Sequence, residues 1–477
     1  MKRRARSVVA WLDDRTGLVE VVRTIMNHPV PRGATWWYVF GSVTLLAFLV
    51  QVTTGVVLGS MYVPAPDDAH QSLEFITNAA PAGRLVRGMH AWTATAMVVM
   101  IGIHAIQVFL FGSYKFPREV NWMTGVLLLA FTLAMAFTGQ ILRFDNNGVW
   151  STIVLVKMTS YVPLVGDELG RFFLAGDIVN ASTLSHFFAY HVFVIPGLIF
   201  GLIGLHLYLV IRNGISEPPE AGRPVDPATY RAWYSDLLHR EGVPFWPEAI
   251  WRDALAGLAL VAGLLVLGGI VGPPEVGDPP SPANLDTNPR PDWYFIWLFA
   301  ALALLPPGIE FVVLIVGSGA FFAGLLLLPL LAARGERSWK SRPWAVVIVS
   351  IIVAGVGALT VYGLQAPWSP NFDAPPLSAA VVGTISGPVA TGAILFHEKG
   401  CQYCHMIAGS GGQRGPDLTT IGDRLTENDL VWRIANGGVN MPAFAGTLSQ
   451  QEMRELVAFL QSRQTGPAPV QNVPVIR

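Results

Sequence analysis

Long stretches of the chain carry no Asp, Glu, Lys or Arg at all: Gly33 to Pro66, Gly88 to Tyr114, Val120 to Leu142, Ile178 to Ile211, Ala254 to Pro274, Phe311 to Ala333 and Pro343 to Phe372. Each supplies the roughly 20 apolar residues that a helix needs to cross a bilayer. The pattern therefore predicts an all-α membrane protein with a bundle of seven transmembrane helices. A further apolar run, Trp293 to Ile309, is shorter and contains Pro306 and Pro307, so it reads as an interfacial or re-entrant segment. Residues 11 to 27 have the spacing of a surface amphipathic helix.

The pattern changes near Gly363. Pro367, Pro370, Pro375 and Pro376 punctuate a polar linker, and after Gly387 the alternation is that of a small soluble all-α domain. There, Thr391 to Lys399 and Ser449 to Ser462 have helical spacing and are expected to clasp through Phe396 and Phe459. The resulting divisions are an amphipathic segment (1–29), four helices (30–215), a connection (216–250), three helices (251–365), a linker (366–386), the small domain (387–465) and a tail (466–477).

Composition agrees: 13% of residues are charged and 52% hydrophobic, whereas soluble domains carry about a quarter charged residues. The net charge of -1, with no basic stripe, gives no reason to expect a nucleic-acid partner. Charge does orient the chain. With the N-terminus in the cytoplasm, 18 Lys and Arg fall on the cytoplasmic side before the tail and 6 on the other, which is the positive-inside bias. Seven crossings then place the C-terminal domain outside. The basic start runs into Trp11, Leu12, Asp13, Asp14 and Arg15, so no cleavable signal peptide is expected.

The two cysteines of the chain both lie in Cys401-Gln402-Tyr403-Cys404-His405. This is the pattern of covalent c-type haem attachment, two thiols to the porphyrin and the adjacent His to the iron. A disulfide accounts neither for His405 nor for the residues C-terminal to it. Gly415-Pro416-Asp417-Leu418 and Asn440-Met441-Pro442 come at intervals that resemble a class I cytochrome c. The resemblance implies His405 and Met441 as axial ligands, with backbone near Pro416 orienting the imidazole. Met406, next to His405, cannot reach the far face of the same ring.

Four histidines lie in predicted membrane helices. His90 and His104 are 14 residues apart, His191 and His206 15 apart. At about 1.5 Å and 100° per residue each pair spans about 21 to 22 Å and stays near one helix face. A lone membrane histidine is often a polar residue satisfied inside a bundle, yet ionisable residues there are costly, and two matched pairs can clamp two stacked haems. Gly41 and Gly55, and Gly125 and Gly139, repeat the 14-residue step. Helix packing would also use glycines, but a missing side chain lets backbone approach a flat macrocycle.

Leu85-Val86-Arg87-Gly88-Met89-His90, Phe116-Pro117-Arg118-Glu119, Phe187-Phe188-Ala189-Tyr190-His191 and Pro291-Asp292-Trp293-Tyr294 then make residues 30 to 365 resemble the cytochrome b family of bacterial cytochrome bc complexes. The likeness is particularly to the plastid-type form, whose four-helix protein is here joined to its three-helix partner. The resemblance implies that His90 and His191 hold the low-potential b haem near the outer face, and His104 and His206 the high-potential one near the cytoplasm. It implies a quinol-oxidation pocket between Gly148-Val149-Trp150, Pro163-Leu164-Val165-Gly166 and Pro291-Asp292-Trp293-Tyr294, with Asp292 and Tyr294 as its catalytic residues.

Quinol oxidation releases two protons, so a carboxylate at the edge of an apolar cleft is useful chemistry; Asp292 is the candidate base, or else the cap of the helix beginning at Trp293. Arg87 and Arg84 suit haem propionates or lipid phosphates, and Arg212 an inner haem or a reduced quinone. The family usually has Glu at position 292, Arg at 186 and Pro-Trp at 143 and 144, where this chain has Asp292, His186, Arg143 and Phe144. Val39 replaces the Cys that attaches an extra haem in the plastid-type branch.

The implied activity is a bifurcated quinol oxidation coupled to proton translocation. It uses two b haems, one covalent c haem, a cytoplasmic-side quinone and a separate Rieske iron-sulfur protein, since no cysteine is left for a cluster. A homodimer, and a downstream cytochrome c or terminal oxidase, are implied with it. The rival readings are a haem-bearing membrane anchor of a quinone-linked dehydrogenase or reductase, which needs no outer quinol motif, and a transporter or receptor with a haem sensor tail.

Overall fold

The computed structural model describes residues 2–159, 161–176, 179–280, 290–305, 309, 312–366, 368–383, 386–437 and 441–465. They fall into two compact units. The first comprises Met1–Ala283, Pro289–Phe295 and Leu305–Gly357, the second Asn284–Asn288, Ile296–Leu304 and Ala358–Arg477.

Among the described residues, seven helices are long and apolar enough to cross a membrane: Phe40–Gly59, Gly83–Leu110, Glu119–Ile141, Ala181–Asn213, Phe245–Val271, Val312–Leu331 and Pro343–Gln365. The run after Asp292 forms a helix of only 12 residues, Trp293–Leu304, too short to span. The N-terminal expectation is corrected. In place of one helix over residues 11 to 27 there are two, Lys2–Thr16 and Leu18–Met26. Gly17 separates them at φ 62°, a left-handed conformation that ends the first helix.

In the first unit the first span packs along the second and the third along the fourth, while the fifth covers the first and second and the sixth lies on the third. Ala47, Phe48, Met97 and Ile199 form the buried centre, with Leu128, Phe131, Met135 and Leu260 around it. Two short helices, Asn146–Thr159 and Gly166–Leu174, connect the third span to the fourth. An antiparallel ribbon, Pro29–Pro31 with Gly242–Pro244, pins the segment before the first span to the segment before the fifth.

The loops after the second, fourth and sixth spans meet in a buried polar network. Arg118 donates to the Gly214 carbonyl (2.9 Å) and to the Tyr230 hydroxyl (2.8 Å), which donates to Glu217 (2.7 Å). Arg337 closes the network on Glu217. A buried ion pair must have its remaining hydrogen-bonding groups satisfied to offset desolvation, and here tyrosine and backbone do much of that.

In the second unit Gly387–Glu398 crosses Gln450–Gln461 so closely that a Cβ at Gly392 would overlap the Glu455 carbonyl. Phe396 and Phe459 meet there, as expected, with ring centroids 5.7 Å apart, and Leu430, Ile434 and Leu456 complete the core. This domain begins earlier than residue 387. Leu377, Val381 and Val382 pack on the same core, and Arg463 donates to the carbonyls of Val381 and Val382. The prolines hid these apolar side chains within a stretch that reads as linker.

Candidate functional site

The four membrane histidines converge with the four glycines one to one. A Cβ at Gly41 would lie 3.2 Å from Cε1 of His104, at Gly55 3.3 Å from His90, at Gly125 3.6 Å from His206 and at Gly139 2.8 Å from His191. The glycines thus make room for the imidazoles themselves, and the repeat of 14 residues matches the histidine spacing because each glycine backs one ring. His90 and His191 face each other with ring centroids 6.3 Å apart. Two metal–nitrogen bonds of about 2 Å each, end to end, fit between the facing edges of rings so placed. His104 has His206 as its histidine neighbour across the bundle.

The odd spacing of 15 in the fourth span has a local cause. Residues Tyr190–Val194 form a π-helical turn, which takes up one extra residue. His191 and His206 therefore keep a common face, as the 14-residue pair does. This turn carries no sequence signal apart from the spacing itself.

Three of the rings are held by hydroxyls. Thr54 Oγ1 lies 2.9 Å from His90 Nδ1, Thr124 Oγ1 2.8 Å from His206 Nδ1, and Thr138 Oγ1 3.1 Å from His191 Nδ1. Each hydroxyl donates its own proton to a carbonyl of its helix, as Thr54 does to Val50 (2.7 Å). The oxygen then accepts from Nδ1–H, leaving Nε2 as the free lone pair. Orienting bonds of this kind are what metal-ligating histidines carry, so the residues fit two bis-histidine haems. Nothing in the sequence reading singled out the threonines, although Thr-Gly occurs at three of the four glycines.

At one end of this cluster Asp292 accepts a hydrogen bond from the Tyr294 hydroxyl, 2.7 Å from Oδ2. Burial, and next the Asp292 charge, push the Tyr294 phenol up from its ordinary value, so it stays a donor. The approach to Asp292 is clamped: Asn147 Nδ2 donates to the Arg290 carbonyl (2.9 Å), Arg290 N donates to Asn147 Oδ1 (2.7 Å), and Gln140 Nε2 reaches the same carbonyl (3.2 Å). Gly148 lets the helix Asn146–Thr159 press on the Gln140 carbonyl. In the loop after that helix, Leu164 is fully exposed.

The departures from the family pattern find places. Arg143 pairs with Asp145 at 3.2 Å; Asp145 is 1% exposed and also accepts from the backbone N–H groups of Gly148 (2.7 Å) and Gly277 (3.2 Å). Phe144 is buried with Ala69 and Leu184. His186 stacks edge to face on Tyr190, its Nδ1 buried without a partner. Arg87 is buried and donates to Thr77 (2.9 Å) and the Pro274 carbonyl (2.7 Å), and Arg84 to the Val271 carbonyl (3.2 Å); both therefore tie the second span to the end of the fifth. Arg212 reaches Tyr208 (3.2 Å).

In the second unit Cys401 and Cys404 sit on one helical turn as free thiols. Burial pushes Cys401 up to about 12 and raises Cys404. The two thiols are half-buried, unpaired and one helical turn apart, an arrangement that fits covalent attachment to a porphyrin edge. His405 Nδ1 lies 2.9 Å from the Pro416 carbonyl, the orientation expected of it, and a Cβ at Gly415 would overlap its ring. Met441 packs on the domain core, and Asn440 lies outside the described residues.

Comparison with known proteins matches three family models in turn along the chain. Residues 25–214 match the family model described as cytochrome b/b6/petB, residues 282–381 that of cytochrome b (C-terminal)/b6/petD, and residues 387–460 that of cytochrome C oxidase, cbb3-type, subunit III. The chain is 37% identical over 217 residues to the menaquinol:cytochrome c reductase cytochrome b subunit of Bacillus subtilis, covering 44% of this chain and 96% of that protein. It is 30% identical over 371 residues to cytochrome b of Allochromatium vinosum, covering 75% and 88%. Among solved structures it is similar to a hyperthermophilic respiratory complex III, with a TM-score of 0.64 and 27% identity over 75% of this chain and 91% of that one.

Proposed function

The chain belongs to the cytochrome b family of quinol:cytochrome c reductases, and from that premise we propose that it oxidises quinol at the outer face of a bacterial cell membrane, coupled to proton translocation. One electron leaves through a separate Rieske protein and the C-terminal domain, and the other crosses to a quinone on the cytoplasmic side. His90 with His191 and His104 with His206 would hold two b haems. Cys401, Cys404, His405 and Met441 would hold one covalent c haem, and when bound these groups supply one-electron transfer.

The observation that carries the reading is the fourfold match of glycine to histidine, with 2.8 to 3.6 Å between each glycine's Cβ position and its imidazole. The chain's own acid–base work falls to Asp292. Tyr294 binds Oδ2, which leaves Oδ1 to accept the quinol hydroxyl proton. Both cysteines belong to the c motif, so the iron-sulfur protein is another chain. The positive-inside bias puts the N-terminus in the cytoplasm and the C-terminal domain outside, where a soluble cytochrome c or a terminal oxidase takes its electron. A homodimer is part of the proposal.

Haem counting on the purified chain tests it. Pyridine haemochrome spectra are expected to give two extractable b haems and one covalent c haem; one b haem or none would sink the reading. Asp292→Ala is expected to cut kcat for quinol oxidation 10²-fold or more, on the scale of losing a general base, with haem content unchanged.

A further inference from the structure

The residue before each of the four ring-facing glycines is Thr54, Thr124, Thr138 and, at the first, Phe40. The three threonines hold His90, His206 and His191. The backbone carbonyls of Gln51, Asn121 and Met135, one turn before each glycine, approach the same three rings. His104 has neither. Its Nδ1 is buried and without a partner, and the reason is local: it faces Gly41 in the first turn of the first span, which begins at Phe40 and comes after the 3-10 turn Trp36–Tyr38, so no α-helical turn stands behind the glycine.

Resting on the reading that these four histidines hold two haems, we propose that Thr54, Thr124 and Thr138 are positioning residues that set ligand strength, and that Phe40 leaves His104 the weak ligand of the four. A hydrogen bond accepted from Nδ1–H makes an imidazole a stronger donor through Nε2, and a stronger donor favours the ferric over the ferrous state. The group between His90 and His191 has two strengthened ligands, the group between His104 and His206 one. The second therefore has the higher reduction potential, and position 40, Phe in place of Thr, sets part of the potential difference that drives an electron from one pair to the other.

Redox potentiometry of the b-band absorbance in the purified full complex tests this, with haem content read separately. Thr54→Val is expected to raise the potential of one b haem, Thr54→Ser to restore it, and Phe40→Thr to lower that of the other. A tenfold change in the ferric-to-ferrous ratio reads as about 59 mV for one electron. Phe40→Leu, which removes the ring without adding a hydroxyl, is expected to leave the potentials in place. If two b haems stay bound and neither potential moves in Thr54→Val or Phe40→Thr, the tuning is refuted while the haem assignment stands. Haem loss in Thr54→Val with retention in Thr54→Ser would show that the hydroxyl anchors the ring instead of tuning it, which also overturns the proposal. Wild type with fewer than two b haems would defeat the underlying assignment instead.

Discussion

His405 and His90 are both imidazoles with Nδ1 bound by the protein, but their partners come from different distances. His405 is held by a carbonyl 11 residues on, His90 by a hydroxyl 36 residues away on another helix, and His206 by one 82 residues away. The C-terminal domain gathers its two thiols and one imidazole from one continuous motif, Cys401 to His405, and adds Met441 from farther along the chain. The membrane unit distributes its site over four helices and relies on close approach, glycine against imidazole, to bring it together. A local site fails when its own residues change. A distributed one also fails when the spacing between helices does.

The largest break in that comparison is covalent. Cys401→Ser is expected to abolish haem staining of the chain on a denaturing gel or reduce it to the trace that one remaining thioether holds, with both b haems retained in the pyridine haemochrome spectrum. Loss of b haem as well would mean that the two sites are assembled together.

The next effect is graded by distance. A Cβ at Gly139 would stand 2.8 Å from the His191 ring, closer than real Cβ atoms come, whereas one at Gly125 would stand 3.6 Å from His206, an ordinary contact. Gly139→Ala is expected to reduce the b haem count from two to one, and Gly125→Ala to keep two. Equal loss in both would show that the glycines serve helix packing in general.

How far each site was legible in the sequence rests on the same contrast. The spans were readable because hydrocarbon demands a long apolar run for every crossing, and the c motif because its chemistry needs adjacent residues. The ribbon between Pro29–Pro31 and Gly242–Pro244 and the Asn147 clamp on Arg290 were not, since each depends on which distant backbone arrives. The threonines were missed for another reason. In a membrane helix a Thr usually bonds its own backbone, and these do that as well as serving a histidine.

In the soluble domain the corresponding break is a cavity. Phe459 is fully buried against Phe396 and Leu456, so Phe459→Ala is expected to cost about 3 to 5 kcal/mol. A thermal melt of the full chain, monitored at the c-haem absorbance, is the measurement. The b-haem absorbance should melt as in wild type if the membrane unit stands on its own contacts.

The smallest effect concerns what water demands of a helix end. Ser449 caps Gln450–Gln461 by accepting from Glu452 N (3.2 Å), while Glu452 Oε2 accepts from Ser449 N (2.7 Å) and Oε1 meets Lys399 Nζ at 2.8 Å. The Lys399 ammonium and the cap hold the Glu452 carboxyl down to about 2, against an ordinary 4.5. A group depressed on folding contributes stability above its unfolded pKa, and that contribution disappears as pH falls through the folded value. The c domain should therefore lose part of its stability between pH 4.5 and about 2. Glu452→Gln, which keeps an acceptor but no charge, should flatten that segment of the profile while lowering the melting temperature only slightly at neutral pH. The spans Phe40–Gly59 and Glu119–Ile141 have no side-chain cap on the first turn, so their helix starts should add no step of this kind to the b-haem absorbance in the same acid titration. A step of equal size there would mean that the two regions share their acid response, and the contrast between a capped helix in water and an uncapped one in lipid would not account for it.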